Sequence, residues 1–264
     1  TNYALRADMS KVEFVKEVTD GILPPPQYFP KNVMLNKKGY DSLEKVKSHG
    51  LKALSPKEFE FLVNDQNALM IDTRDKTDFE KGHIPNSIFI GLDGSFASWV
   101  GTLVTDINQP IVFIADKDTE DEVVTRLSRV GYDNTLGFLD GGVTAWANAG
   151  HQIDKINCVS VSELEAKLNA EELTIVDVRK PTEFAAEHVE GAKNVALDYL
   201  SENLSEIDKS VTNYLHCAGG YRSLIAASIL QARGYNVINV EGGFSAIVES
   251  NIKTTDYVCP STLK

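Results

Sequence analysis

The sequence predicts an α/β protein of two tandem domains, each a mostly parallel sheet flanked by helices. Three observations carry that prediction. A set of landmarks recurs about a hundred positions apart, from Ser55-Pro56-Lys57-Glu58 to Ser160-Val161-Ser162-Glu163 and from Asp72 to Asp177. Short apolar runs alternate with helical segments, the pattern of parallel α/β sheets. The 264 residues, 42% hydrophobic and 24% charged, suit two globular domains. The repeat is too long for a solenoid unit and indicates a duplicated domain.

Residues 1–50 stand outside the repeat. Lys11–Val18 reads as a short helix. Leu23-Pro24-Pro25-Pro26 reads as extended, because consecutive prolines fix φ and lack donors. Tyr28-Phe29-Pro30 follows, and the whole reads as a linker whose aromatics lie along a surface. Ser55 and Ser160, each three residues before a glutamate, mark helix starts by the capping-box pattern, and Pro56 suits a first helical position. Leu69–Ile71 and Leu173–Val176 read as strands buried on both faces. Ile111–Ala115 and Val211–His216 are the next strands, each followed by a helix ending at glycine, Gly131 or Gly234. Val237–Val240 reads as a further strand, and His151–Cys158 as the junction. The expected domains are a linker or tail at 1–50, a first unit at 51–152 and a second at 153–264.

The net charge of -12 disfavours nucleic acid and anionic membranes as partners. No apolar run approaches the ~20 residues of a membrane span, and the first residues carry no signal pattern. The three cysteines, Cys158, Cys217 and Cys259, are too few and too uneven for a disulfide scaffold, so a reduced, cytoplasmic setting is expected. The chain begins at Thr1 without an initiator Met, which suggests a piece of a longer protein.

The most informative segment is Tyr214-Leu215-His216-Cys217-Ala218-Gly219-Gly220-Tyr221-Arg222-Ser223. A strand delivers Cys217 at its carboxyl end, where open α/β sheets bind ligands, and a helix begins near Arg222. A helix N-terminus favours the thiolate, the reactive form of cysteine. Gly219 and Gly220 let the backbone curl so that N–H groups point inward, and Arg222 adds a planar cationic fork suited to an oxyanion. At the matching place the first unit reads Ala115-Asp116-Lys117-Asp118-Thr119-Glu120, without cysteine, glycine pair or arginine. Its carboxylates repel an anion; a metal site built from them is the sharper alternative.

Asp177-Val178-Arg179, Phe184 to His188-Val189-Glu190-Gly191-Ala192, Cys217 to Arg222 and Glu241-Gly242-Gly243 stand in the order of the rhodanese domain, which both units resemble over residues 51–264. Departures are Glu187 where the family commonly has glycine before His188, and Ile247 where the first unit has Trp146. The resemblance implies a sulfurtransferase in which Cys217 carries sulfane sulfur as a persulfide. It implies Ala218, Gly219, Gly220, Tyr221, Arg222 and Ser223 as the substrate cradle, and an inactive first unit. Residues 1–50, especially Leu23 to Asn32 with Asn36 and Gly39, resemble the tail that follows a metallo-β-lactamase-fold persulfide dioxygenase, a type of enzyme found fused to rhodanese units. The implied partners are thiosulfate, thiol persulfides such as those of glutathione, coenzyme A or bacillithiol, and an upstream dioxygenase domain. Iron is expected only in that domain, because the five histidines here include no His-x-His pair; transfer itself needs no metal or organic cofactor.

Two other readings compete: a docking module with Cys217 as a regulatory thiol, and a cysteine phosphatase. His-Cys phosphatases carry arginine six positions after the cysteine, whereas Arg222 stands five after Cys217. Among the remaining residues, Asp177 and Arg179 are expected to form a structural polar link, and His83 and His188 to satisfy turn backbone. His216 either tunes the thiolate or packs below the loop; strand alternation favours the latter. Tyr221 is a candidate substrate contact, Cys259 a resolving thiol or a spectator, and Cys158 a buried thiol. Trp99 and Trp146 read as core or interdomain aromatics.

Overall fold

Three helices precede the repeated units in the computed structural model, which describes residues 9–19, 28–39 and 41–259. They are α1 (Lys11–Thr19), α2 (Phe29–Lys38) and α3 (Leu43–Gly50). The proline run at 23–26 lies outside the described residues. From Tyr28 onward the segment is more than a linker. Tyr28 lies so close to Gly101 that a Cβ there would fall 2.3 Å from the ring, and Val46 of α3 enters the first unit's core. Gly50 at the end of α3 lets it approach Val124, where a Cβ would fall 2.9 Å from a methyl.

The first unit runs β1 (Ala53–Leu54), α4 (Pro56–Gln66), β2 (Leu69–Asp72), α5 (Lys76–Lys81), β3 (Ile88–Phe89), α6 (Phe96–Leu103), β4 (Ile111–Ile114), α7 (Glu120–Arg129), β5 (Thr135–Leu139) and α8 (Gly142–Asn148). The second runs β6 (Asn157–Val159), α9 (Val161–Leu168), β7 (Thr174–Asp177), α10 (Pro181–Ala186), β8 (Lys193–Asn194), β9 (Thr212–His216), α11 (Tyr221–Ala232), β10 (Asn236–Val240) and α12 (Gly243–Ile247). Both capping boxes form: Ser55 and Ser160 accept from the N–H of Glu58 and Glu163, whose carboxylates accept from the serine N–H. Strand β6 begins inside the expected junction, because the second sheet uses Asn157–Val159 as an edge beside β10.

Among the described residues each unit holds one five-stranded sheet, in the orders β1-β5-β4-β2-β3 and β6-β10-β9-β7-β8. Every pairing between these strands is parallel. Strand β4, wholly apolar and buried, and β9, buried from Asn213 to His216, lie at the centres of their sheets, where a parallel strand is covered on both faces.

The two units share a core. Phe79 and Phe89 of the first unit sit in one apolar cluster with Val176, Leu215 and Leu224 of the second. Trp99 packs against this cluster and against the first unit's own core, so it is an interdomain aromatic, whereas Trp146 lies within the first unit, edge-on to Phe59. Helix α11 is the seam. Every residue from Ser223 to Leu230 is buried, as expected for a helix with no polar face. The Phe89 N–H, at the edge strand β3, donates to Ser228 Oγ on α11 at 3.0 Å.

Candidate active site

Cys217 follows the last residue of β9, and α11 starts four residues later, so the loop has almost no slack. Gly220 takes φ +97°, a conformation that a side chain would strain, and its N–H meets Cys217 Sγ at 3.1 Å. The thiol is 2% exposed. The loop carbonyls are held from behind: Phe244 N–H donates to Cys217 O at 2.7 Å and Ser245 N–H to Ala218 O at 3.0 Å. Because a trans peptide sets its N–H opposite its carbonyl, the Ala218 and Gly219 N–H groups point away from α12. This buttress depends on Gly243, which has φ +57°; a Cβ there would fall 2.4 Å from Cys217 O. The repeated Gly-Gly is thus part of the cysteine loop's geometry, a role that its spacing alone did not reveal.

Arg222 is not a free oxyanion fork. Its Nη1 and Nη2 donate to Glu183 Oε2 and Oε1 at 2.6 and 2.8 Å. The hydrogen bonds from Arg222 hold the Glu183 carboxyl below the usual range against its burial, and those to Glu183 raise the guanidinium. Glu183 was missed in the sequence; the signal was its place directly before Phe184, where the first unit has the acidic Asp78 before Phe79. Tyr221 turns from the loop toward the first unit. Its hydroxyl donates to Gly91 O of the first unit at 2.7 Å, its ring lies edge-on to Phe89, and burial pushes its phenol up. The side chain is therefore an interdomain tether. Ser223 is fully buried and its hydroxyl donates to Gly220 O at 3.2 Å, so it supports the loop and does not face a ligand. Ala218 and Gly219 remain at the loop, with open space where a Gly219 Cβ would stand.

The expected structural residues form a second layer. Arg179 Nε and Nη2 donate to the buried Asp177 at 2.9 and 2.7 Å, and Nη2 also to Glu187 O. The guanidinium lies 3.8 Å from the Phe244 ring centroid, steadying the residue that holds the Cys217 carbonyl. His188 Nδ1 donates to Phe184 O at 2.7 Å and its ring stacks on Phe184; His83 repeats this with Phe79. His216 is fully buried below the loop, its Nε2 3.8 Å from Asp177 Oδ2, and burial lowers its pKa. Cys158 is half-buried and not enclosed as expected; desolvation and the nearby Glu80 push its thiol up to about 12. Cys259 is exposed.

The first unit keeps the frame without the cysteine, the glycine pair or the arginine. Arg74 clamps Asp72 as Arg179 clamps Asp177. Asp118 takes φ +69° where the second unit uses glycine, and a Cβ on Gly142 would meet nothing within 4 Å. No backbone presses on that glycine as Cys217 O does on Gly243. Among the described residues no group of three His, Cys, Asp or Glu side chains is arranged to hold a metal ion.

A profile of the rhodanese-like domain matches residues 55–149 and again 160–250. The chain belongs to the rhodanese-like domain family. Some relatives match the length of one unit and others span more of the chain. The uncharacterized protein YqhL of Bacillus subtilis is 35% identical over 86 residues, 32% of this chain and 68% of the relative. A rhodanese-like domain protein of Staphylococcus aureus is 33% identical, covering 37% of this chain and 97% of its own, with a TM-score of 0.35. A thiosulfate sulfurtransferase of Pseudomonas aeruginosa is 20% identical over 79% of this chain and 44% of its own, with the same TM-score of 0.35. No helix among the described residues is long and apolar enough to cross a membrane.

Proposed function

We propose that the second rhodanese-like unit is a sulfurtransferase that carries sulfane sulfur on Cys217. The observation that carries this reading is the Gly220 N–H aimed at Sγ in a loop whose carbonyls are tied back to α12. A backbone donor at the sulfur stabilises a thiolate and, after transfer, the terminal sulfur anion of a persulfide. The Cys217 thiolate attacks the outer sulfur of thiosulfate. A sulfur–sulfur bond forms to Cys217, the bond to the sulfonate sulfur breaks, and sulfite leaves with the electron pair. Cyanide or a thiolate then attacks the terminal sulfur, giving thiocyanate or a new persulfide and restoring the thiolate. An organic persulfide reacts in the same way, with its thiolate as leaving group. The first step exchanges one sulfur–sulfur bond for another, and the second breaks a sulfur–sulfur bond as a carbon–sulfur or new sulfur–sulfur bond forms, so both balance without metal or organic cofactor. The five-residue span from Cys217 to Arg222 and the engagement of Arg222 by Glu183 leave little for a phosphate to bind, which disfavours ester hydrolysis.

We further propose that the chain works beside an iron-dependent persulfide dioxygenase domain in one polypeptide, in a reducing, cytoplasmic setting suited to free thiols. The resemblance of residues 23–39 supports this context. A clustered His-x-His-x-Asp-His motif encoded ahead of Thr1 is the result expected.

Intact mass after thiosulfate treatment tests the transfer: wild type gains one sulfur atom and Cys217→Ser gains none. Equal gain by both defeats the assignment. A docking module without catalysis draws on the burial of Cys217, 2% exposed. It is favoured if wild type neither gains sulfur nor forms thiocyanate.

A further inference from the structure

With Arg222 held by Glu183, the catalytic loop has little uncommitted positive charge of its own. The silent unit supplies some. Lys76, at the start of α5, places its ammonium 3.8 Å from where a Cβ on Gly220 would stand. Gly220 is the residue whose N–H meets Sγ at 3.1 Å, so covalent geometry puts this ammonium within about 10 Å of the sulfur. Lys76 is exposed and forms no ion pair among the described residues, although Asp75 and Glu80 feel its charge. The distance is near one screening length in physiological salt, so an anion at the loop senses it.

Lys76 also lines a cleft of about 450 Å³ at the carboxyl ends of the first unit's strands. Phe89, Leu92 and Tyr221 give it apolar walls, Asp93 and Asp116 give it acidic ones, and Asp75 flanks Lys76. Tyr221 ties this cleft to the catalytic loop, and Gly94 is shaped to receive it: a Cβ there would fall 2.3 Å from the phenol ring. The volume suits a small organic ligand and far exceeds thiosulfate. With Arg74 held by Asp72, the lining combines the Lys76 ammonium with three carboxylates, which suits a ligand that bears both signs.

We propose that this cleft is the recognition subsite for the body of the sulfur donor, a persulfide of an amino-acid or short-peptide thiol. A carboxylate of the donor pairs with Lys76, its amino group faces Asp93 and Asp116, and its sulfane sulfur reaches Cys217 across the open side at Gly219. The proposal rests on the sulfurtransferase reading and assigns the silent unit a share of the substrate. Its cysteine-free loop then leaves room for the donor.

Two measurements test it. In steady-state transfer to cyanide, Lys76→Gln raises KM for glutathione persulfide about fivefold with kcat nearly unchanged, while the persulfide of 2-mercaptoethanol, which has neither carboxylate nor amino group, is unaffected; Lys76→Arg restores the wild-type value. In calorimetry, S-methylglutathione, which has no transferable sulfur, binds the wild type and loses about fivefold in affinity in Lys76→Gln. Equal effects on both persulfides, or no effect on either, overturn the proposal, as does binding of S-methylglutathione that ignores Lys76. If Lys76-dependent binding holds and Cys217 gains no sulfur from thiosulfate or either persulfide, the sulfurtransferase reading has failed and the subsite stands.

Discussion

At Arg222 residue identity and residue role part company. The guanidinium expected to hold an oxyanion is spent on Glu183 of α10. Glu183→Gln keeps the side chain's size and frees the charge. The expected result is a rise of about threefold in kcat/KM for thiosulfate, larger at low salt, measured as thiocyanate formation. An unchanged value at every ionic strength contradicts a role for that charge. His216 shows a second residue-scale effect. Burial lowers its pKa from 6.5, so the fold resists a proton that the unfolded chain accepts. The unfolded state therefore binds more protons as pH falls below about 6.5, and stability declines with acid in that range. His216→Gln should flatten the decline, seen as a smaller drop in Tm from about pH 6.5 to 5. The identity of Cys217 as the candidate nucleophile was legible because strand, glycine pair and helix are contiguous. Glu183 was not, since it comes from another element 39 residues away in sequence.

At the scale of elements, the cysteine loop and α12 form one unit. Two N–H groups of α12 hold the loop's carbonyls, and Gly243 makes the approach possible. Gly243→Ala meets both a positive φ and a backbone oxygen at 2.4 Å, and neither can be relieved by rotating a flexible side chain. Destabilisation of about 2–4 kcal/mol in urea unfolding is expected, together with loss of sulfur loading. The corresponding Gly142→Ala has open space and only the positive φ to overcome, so its cost should stay near 1 kcal/mol. Comparable costs at both sites remove the buttress from the account. Capping boxes and glycine helix ends were readable element by element, because each is a local exchange of backbone hydrogen bonds. Helices α2 and α3 were not. Both are short, and their contact with the first unit's core comes from Tyr28, just before α2, and Val46 of α3.

For the whole molecule, the decisive feature is a core that crosses between the units. Phe79 and Phe89 are buried among residues of the second sheet, and α11 has a neighbour on each side. The units should therefore melt together. Differential scanning calorimetry is expected to show one transition with matching calorimetric and van't Hoff enthalpies; two separated transitions argue against the shared core. The sequence by itself determined the duplication, the parallel α/β class of each unit, the cysteine loop and the loss of that loop in the first copy. These are written in contiguous residues and in local backbone chemistry. The tertiary structure alone decided that Arg222 is engaged, that Tyr221 reaches into the first unit, and that Lys76 of the first unit stands beside the Cys217 loop. Those outcomes depend on how two separately wound sheets meet along α11, and distances between side chains on different sheets leave no periodic or local trace in the chain.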